Sequence, residues 1–168
     1  GAGKSQMPIA LAGLGLKTTV ADPDSQKQTG KSSGGEWDWT DYSAWGVDTQ
    51  CAGMQDKLFE DGTLGVAVSV SVIEHIPADI RREGIKSLAT ALEVGGLMVF
   101  TVDLVKGTRK LWNRVLDIEV EPLEIHGSAE DLIEEARSCG LFLLHQELCP
   151  VSTEHHDILG LVFEKVEV

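Results

Sequence analysis

The chain has 168 residues, 42% of them hydrophobic, and a formal net charge of -13. That length allows one domain that buries roughly 70% of its unfolded surface without disulfide or metal staples, and a single domain over residues 1–168 is the expectation. The acidity disfavours nucleic acid and anionic membrane surfaces as partners, since Lys27, Lys31, Arg81, Arg82, Arg109, Lys110 and Arg114 are scattered instead of forming a basic patch.

The chain opens on Gly1-Ala2-Gly3-Lys4-Ser5. A glycine turn of this kind lets a ligand approach the backbone. Ser5 to Leu14 reads as a helix, with Ser5 as N-cap, Ile9, Leu11, Ala12 and Leu14 as apolar positions, and Gly15 as the stop. Pro8 is tolerated because it falls in the first turn. Lys17 to Ala21 reads as a short strand, ended by the turn Asp22-Pro23. Asp22 stands nineteen residues after Gly3, the spacing at which an acid on the tip of the next strand can hydrogen-bond a ribose.

A polar stretch, Gln26 to Gly35, leads into Trp37, Trp39, Tyr42 and Trp45, an aromatic cluster that reads equally as a flap over a ligand or as a local core. Val47 to Cys51 is a second strand, and Gly53 to Gly62 an irregular link. Gly65 to Ile73 is a continuous run of small and apolar residues, the pattern of a parallel strand buried on both faces. Ala78 to Leu92 is helical, with Ile85, Leu88, Ala89 and Leu92 on one face; Gly95-Gly96 is expected to end it. Leu97 to Val102 is another buried strand.

Asp103 to Gly127 is less regular and carries Trp112 and His126. Ser128 and Asp131 have the spacing of a capping box, opening a helix that turns Leu132, Ile133 and Ala136 inward and closes at Gly140. Phe142 to Leu148 and Ile158 to Val166 are the last strands, and the loop Pro150–Asp157 is short enough for an antiparallel pair. His155-His156-Asp157 reads as part of that turn and not as a metal site, because adjacent strand residues point to opposite faces. No metal is expected. Cys51, Cys139 and Cys149 form no CxxC pair and read as free thiols. With no signal peptide and no long apolar run, the expected location is cytoplasmic.

The alternation of strands and helices predicts an α/β fold, a three-layer sandwich with a mostly parallel sheet and an antiparallel last strand. Ligands of such sheets lie at the carboxyl ends of the strands, where Gly1–Gly3, Asp22, Gly53–Asp56, Ser71–His75 and Asp103 fall.

Three segments carry a resemblance to the class I S-adenosylmethionine-dependent methyltransferases. Gly1-Ala2-Gly3-Lys4-Ser5 resembles the loop after their first strand, and Val20-Ala21-Asp22 the tip of their second. Val68 to Pro77, ending in Glu74-His75-Ile76-Pro77, resembles their fourth strand and its exit, followed by a helix, Leu92-Glu93-Val94-Gly95-Gly96 and a strand ending in Thr101-Val102-Asp103. The resemblance implies S-adenosylmethionine as cofactor and a small molecule as acceptor. It assigns Gly1, Ala2 and Gly3 to the methionine moiety, Asp22 with Pro23 to the ribose, Met54, Gln55 and Asp56 to the adenine edge, and Ser71 to the sulfonium region. It places Trp112 and His126 where acceptor-binding insertions occur. His75 is the candidate catalytic base, with bracing of the loop by Glu74 and His75 as the other reading.

The sequence departs from the family pattern at Ser5 and Gly65, where a glycine and an acid are usual, and the acid usual near the adenine aligns with Gly53 or, with a gap, Asp56. It also starts at the glycine loop, so the family's first strand is expected to be missing, leaving a gap or a substitute between Lys17–Ala21 and Gly65–Ile73. Two other functions fit parts of the chain: a non-catalytic methyltransferase-like interaction module, and a P-loop nucleotide-binding domain in which Gly3-Lys4-Ser5 ends a Walker A loop. The acceptor, its target atom and the oligomeric state are open.

Overall fold

Short β-branched runs and one amphipathic helix build the first part of the chain, and longer apolar runs build the second. The structure is a computed structural model that describes residues 5–23, 42–112, 114–115, 119–120, 127–149 and 156–167. Gly1, Ala2, Gly3, Trp37, Trp39, His126 and His155 lie outside the described residues. The chain divides into two compact units, Gly1–Leu58 and Phe59–Val168.

In the first unit, helix α1 (Met7–Gly13) precedes strand β1 (Thr19–Ala21), a 3-10 turn (Ser43–Trp45) and strand β2 (Asp48–Gln50). The helix starts two residues later than expected. Its N-cap is Gln6, which caps nothing with its side chain, while Ser5 Oγ accepts the N–H of Met7 at 3.3 Å. Gly15, at φ 86°, takes the chain out of the helix in a conformation that glycine adopts without strain. The strands pair in parallel, Thr19 with Asp48 and Ala21 with Gln50. Val20, Tyr42 and Val47 form a small core on which Ile9 and Ala12 pack. The Tyr42 hydroxyl donates to the Ser5 carbonyl at 2.9 Å, so this member of the aromatic cluster anchors a local core. Trp45 stands outside it, 63% exposed.

The second unit holds β3 (Leu64–Val70), a 3-10 turn (Ile73–His75), α2 (Ala78–Ala91), β4 (Leu92–Val105), β5 (Arg114–Val115), β6 (Glu119–Val120), α3 (Ala129–Ser138), β7 (Leu141–Cys149) and β8 (His156–Lys165). Four strands form one sheet in the order β3-β4-β8-β7. β3 runs parallel to β4, and β8 runs antiparallel to both β4 and β7, the arrangement expected for the last strand. Period-2 alternation puts Met98, Phe100, Val102 and Leu104 of β4 beside Leu159, Leu161 and Phe163 of β8 on one face, all buried. Ile85 and Ala89 of α2, and Leu132, Ile133 and Ala136 of α3, complete this core.

The helix α3 begins as the sequence predicts. Ser128 Oγ accepts the N–H of Asp131 at 3.2 Å, and Asp131 Oδ2 accepts the N–H of Ser128 at 2.8 Å. The Ser128 hydroxyl, which donates to Asp131 Oδ2 at 2.7 Å, and then the Ser128 N–H hold the Asp131 carboxyl below its ordinary range. The two helices are tied by a buried, two-pronged ion pair. Arg81 Nε and Nη2 donate to Glu135 Oε2 and Oε1, each at 2.8 Å.

Three expectations are corrected. Gly95-Gly96 do not end α2, which stops at Ala91; β4 begins at Leu92 and runs through both glycines. They form a bulge instead: the pairing jumps from Leu64–Leu92 to Val66–Leu97, Gly95 lies at φ 83°, and a Cβ on Gly96 would come within 2.8 Å of the Glu93 carbonyl. The strand read as Gly65–Ile73 ends at Val70, and it is not buried on both faces. Ala67 faces the core, while Val66, Val68 and Val70, on the other face, are 39–42% exposed. The third correction concerns Pro150–Asp157: β8 starts at His156, so His156 and Asp157 are strand residues.

The β1–β2 and β3-β4-β8-β7 ladders are separate, and among the described residues no strand pairs with the outer edge of β3. No helix among the described residues is long and apolar enough to cross a membrane.

Candidate functional site

In the first unit the parallel ladder continues past its strands and fixes the backbone of Asp22. The Asp22 N–H donates to the Gln50 carbonyl at 3.0 Å, and the Asp22 carbonyl accepts from Ala52 at 3.2 Å. A short strand thus ends on an acid whose main-chain N–H and carbonyl are both held by the end of β2. The Asp22 carboxylate acts on Tyr42: burial first, and this charge second, raise the phenol above its ordinary value. Pro23 follows, exposed, at the turn.

Met54–Asp56 form the bend after β2. Asp56 Oδ2 accepts the Gly53 N–H at 2.8 Å, and the Asp56 N–H donates to the Gly53 carbonyl at 3.2 Å. The acid is therefore folded back on its own loop. A Cβ on Gly53 would meet the amide end of the exposed Gln55 side chain, which can swing aside. Met54 is half-buried, and Gln55 and Asp56 are exposed.

In the second unit the exit of β3 turns sharply at Ser71. Its φ of 49° is a left-handed conformation that costs a non-glycine residue about 1–2 kcal/mol. The Ser71 N–H donates to the Thr101 carbonyl at 2.9 Å, and its hydroxyl donates to Asp103 Oδ1 at 3.2 Å. Two residues on, the 3-10 turn sends Glu74 and His75 in different directions. Glu74 is fully buried and His75 is exposed. Glu74 Oε1 accepts the Asp103 N–H at 2.9 Å, while Oε2 is buried without a hydrogen-bond partner. Burial pushes the Glu74 carboxyl up to about 8, against the lowering effect of the Asp103 N–H. A buried carboxyl with one unsatisfied oxygen is better tolerated neutral than charged. Glu74 therefore braces the β3–β4 ends, and the geometry favours bracing for this half of the Glu74-His75 pair.

Asp103, which the sequence places only at a strand end, is the hub of this cluster. His156 Nε2 lies 3.8 Å from Asp103 Oδ2, and the Trp112 N–H donates to the Asp103 carbonyl at 2.8 Å. The Trp112 and His156 rings stack at 4.4 Å with 16° between their planes. The backbone explains this convergence. β8 lies antiparallel along one edge of β4, so its first residue falls at the end of β4, with His156 opposite Val105. After Val70, residues 110–112 take the place of β3 on the other edge, through Leu104–Leu111 pairing and the Val105-to-Lys110 hydrogen bond.

Of the residues singled out in the sequence, Ser71 and Glu74 meet Asp103, and His75 stands exposed at the end of the 3-10 turn. His156, set aside in the sequence as a turn residue, lies beside this cluster, 3.8 Å from Asp103 Oδ2 and stacked on Trp112. The signal that could have found it is the antiparallel placement of the last strand, which brings the start of that strand to the end of β4. Among the described residues, no group of three or more His, Cys, Asp or Glu side chains could hold a metal ion.

No family model and no curated protein matches the sequence. Solved structures do match the fold. A SAM-dependent methyltransferase from Methanosarcina mazei superposes over 100% of this chain and 91% of its own, with TM-score 0.71 and 14% identity. A geranyl diphosphate methyltransferase in complex with SAM covers 99% of this chain and 76% of its own, with TM-score 0.66 and 13% identity. The cyclase SpnF matches as well, over 100% of this chain and 74% of its own, with TM-score 0.69 and 14% identity. The chain has the Rossmann-like α/β fold of the class I S-adenosylmethionine-dependent methyltransferases.

Proposed function

We propose that the protein transfers a methyl group from S-adenosylmethionine to a small-molecule acceptor. The observation that carries this reading is Asp22, an acid whose main chain is held at the tip of β1 by two hydrogen bonds to the end of β2, in a chain with the methyltransferase fold. When bound, the cofactor supplies an electrophilic methyl on a sulfonium. The chain's own part is to hold it and to position the acceptor.

In this reading Asp22 accepts the ribose hydroxyls, with Pro23 shaping the turn beside it. Met54, Gln55 and Asp56 border the adenine, Asp56 through a loop that it closes itself. Gly1, Ala2 and Gly3 receive the methionine moiety through backbone groups. Ser71, strained and fixed on Asp103, lies at the sulfonium side. His75, exposed at the end of the 3-10 turn, is the candidate for the base. His75→Ala tests it, and near-normal turnover rules it out.

Three free cysteines and a chain of strong negative charge support a cytoplasmic protein that avoids nucleic acid and membranes. The fold agreement supports the methyltransferase reading over the Walker reading. The other reading is a non-catalytic methyltransferase-like interaction module, since a fold can be kept without its chemistry.

A thermal-shift assay with S-adenosylhomocysteine separates the two. Ligand at a hundred times its Kd is expected to add about 2.7 kcal/mol of stability. An unchanged melting temperature would contradict the proposal.

A further inference from the structure

A strand at the border of a sheet shows a row of unpaired backbone N–H and C=O groups on its open side, and a long, apolar one is a template for another strand. β7 is such a strand. It spans nine residues, Leu141–Cys149, at one end of the order β3-β4-β8-β7, and among the described residues no strand pairs with its outer side. Phe142, Leu144 and Leu148 on it are 50–59% exposed. We propose that β7 pairs antiparallel with β7 of a second copy of this chain, about a two-fold axis at Gln146, joining the two four-stranded sheets into one.

The centre of β7 reads Leu144-His145-Gln146-Glu147-Leu148, which is complementary to itself when reversed. An antiparallel pair centred on Gln146 sets each His145 opposite Glu147 of the other copy, with Leu144 against Leu148 on either side. Side chains of opposite charge placed directly across a ladder stabilise it, and like charges destabilise it. His145 and Glu147 share one face of the strand: His145 Nε2 lies 3.5 Å from Glu147 Oε2, and the side chains are 62% and 68% exposed. An imidazole N–H donates to a carboxylate whether or not the ring is charged. Neighbouring registers lack this match. A two-fold axis at His145 sets Leu143 opposite Glu147, and one at Glu147 sets two carboxylates face to face.

Two copies that each carry a net charge of -13 repel one another, so a seam between them needs local attraction. The two symmetric His145–Glu147 pairs supply it. The register shift between Leu143 and His145 leaves His145 to Cys149 as the regular part of β7, and this part holds the paired charges. A two-fold contact uses the same patch on both copies and closes on itself, so it gives a dimer and not a fibre. This dimer depends on β7 alone, whatever ligand the chain binds.

Sedimentation velocity over a series of protein concentrations tests the pairing. Wild type is expected to pass from monomer to dimer as concentration rises. His145→Glu sets acid opposite acid, and Glu147→His sets imidazole opposite imidazole. Each is expected to weaken the dimer about tenfold or more, because both symmetric pairs are lost. The two changes shift the net charge in opposite directions, so a shared loss is not a general charge effect. Both side chains are exposed, and circular dichroism and melting confirm that the variants fold. The double variant restores the pairing in reverse, and an equimolar mixture of the two single variants restores it between unlike copies; both are expected to dimerise as wild type does. Wild type that stays monomeric, a dimer that the single variants leave unchanged, or one that neither the double variant nor the mixture restores would overturn the proposal.

Discussion

Glu74, wholly buried, accepts the backbone N–H of Asp103 at 2.9 Å and so ties the exit of β3 to the end of β4. Its carboxyl is pushed up to about 8 by burial, from a value of 4.5 in the unfolded chain. The folded protein thus keeps a proton on Glu74 that the unfolded chain gives up. The stability this contributes is full below the unfolded value and is lost as pH rises toward the folded one, with a slope approaching about 1.4 kcal/mol per pH unit. Glu74→Gln carries no such proton. Urea denaturation of both proteins between about pH 5 and about pH 8 should show wild type losing stability relative to the variant. Parallel pH profiles would refute the assignment.

Ser71 offers a cleaner view of backbone strain. Ser71→Gly and Ser71→Ala both lose the hydroxyl that holds Asp103, so their difference isolates the φ of 49°. Glycine takes that conformation freely, and alanine does not. The glycine variant is expected to be the more stable by about 1–2 kcal/mol in chemical denaturation. Equal stabilities would show that Ser71 relaxes out of the left-handed region.

The sequence made α3 legible because its signals are local. Ser128 and Asp131 cap each other three residues apart, and Leu132, Ile133 and Ala136 follow at helical spacing. Gly95-Gly96 misled for the same reason, since glycine interrupts helices and strands alike. Only the pairing of Leu64 and Val66 with β4 reveals a bulge there. The continuous run around Val66, Val68 and Val70 resembles a strand buried on both faces, although its outward valines are partly exposed. His156 was out of reach for a different cause: its partners Asp103 and Trp112 are distant in sequence, and only the antiparallel register of β8 brings them together.

The buried pair Arg81–Glu135 joins α2 to α3 with side chains 1% and 7% exposed. Removing the arginine leaves a carboxylate inside the protein with the exposed Arg82 beside it, at 3.3 Å. Arg81→Met is expected to cost about 3–5 kcal/mol, whereas Arg81→Met combined with Glu135→Leu recovers most of that loss. Urea denaturation of the single and double variants checks this. A double variant no more stable than the single one would mean that the pair is not self-contained.

Asp22 carries the cofactor reading most directly among the described residues. Asp22→Ala is expected to lower the affinity for S-adenosylhomocysteine about tenfold or more, the value of hydrogen bonds to a charged group. Its fold should persist, because the bonds to Gln50 and Ala52 come from the Asp22 main chain. Unchanged affinity in calorimetric titration would remove Asp22 from the site.

The central claim is that this fold binds S-adenosylmethionine and not a nucleoside triphosphate. Calorimetric titration of the protein with S-adenosylhomocysteine, and in a parallel cell with ATP and magnesium, tests it in one experiment. The account predicts saturable binding of S-adenosylhomocysteine at one molecule per chain and no heat from ATP. Binding of ATP without binding of S-adenosylhomocysteine, or binding of neither, would contradict it.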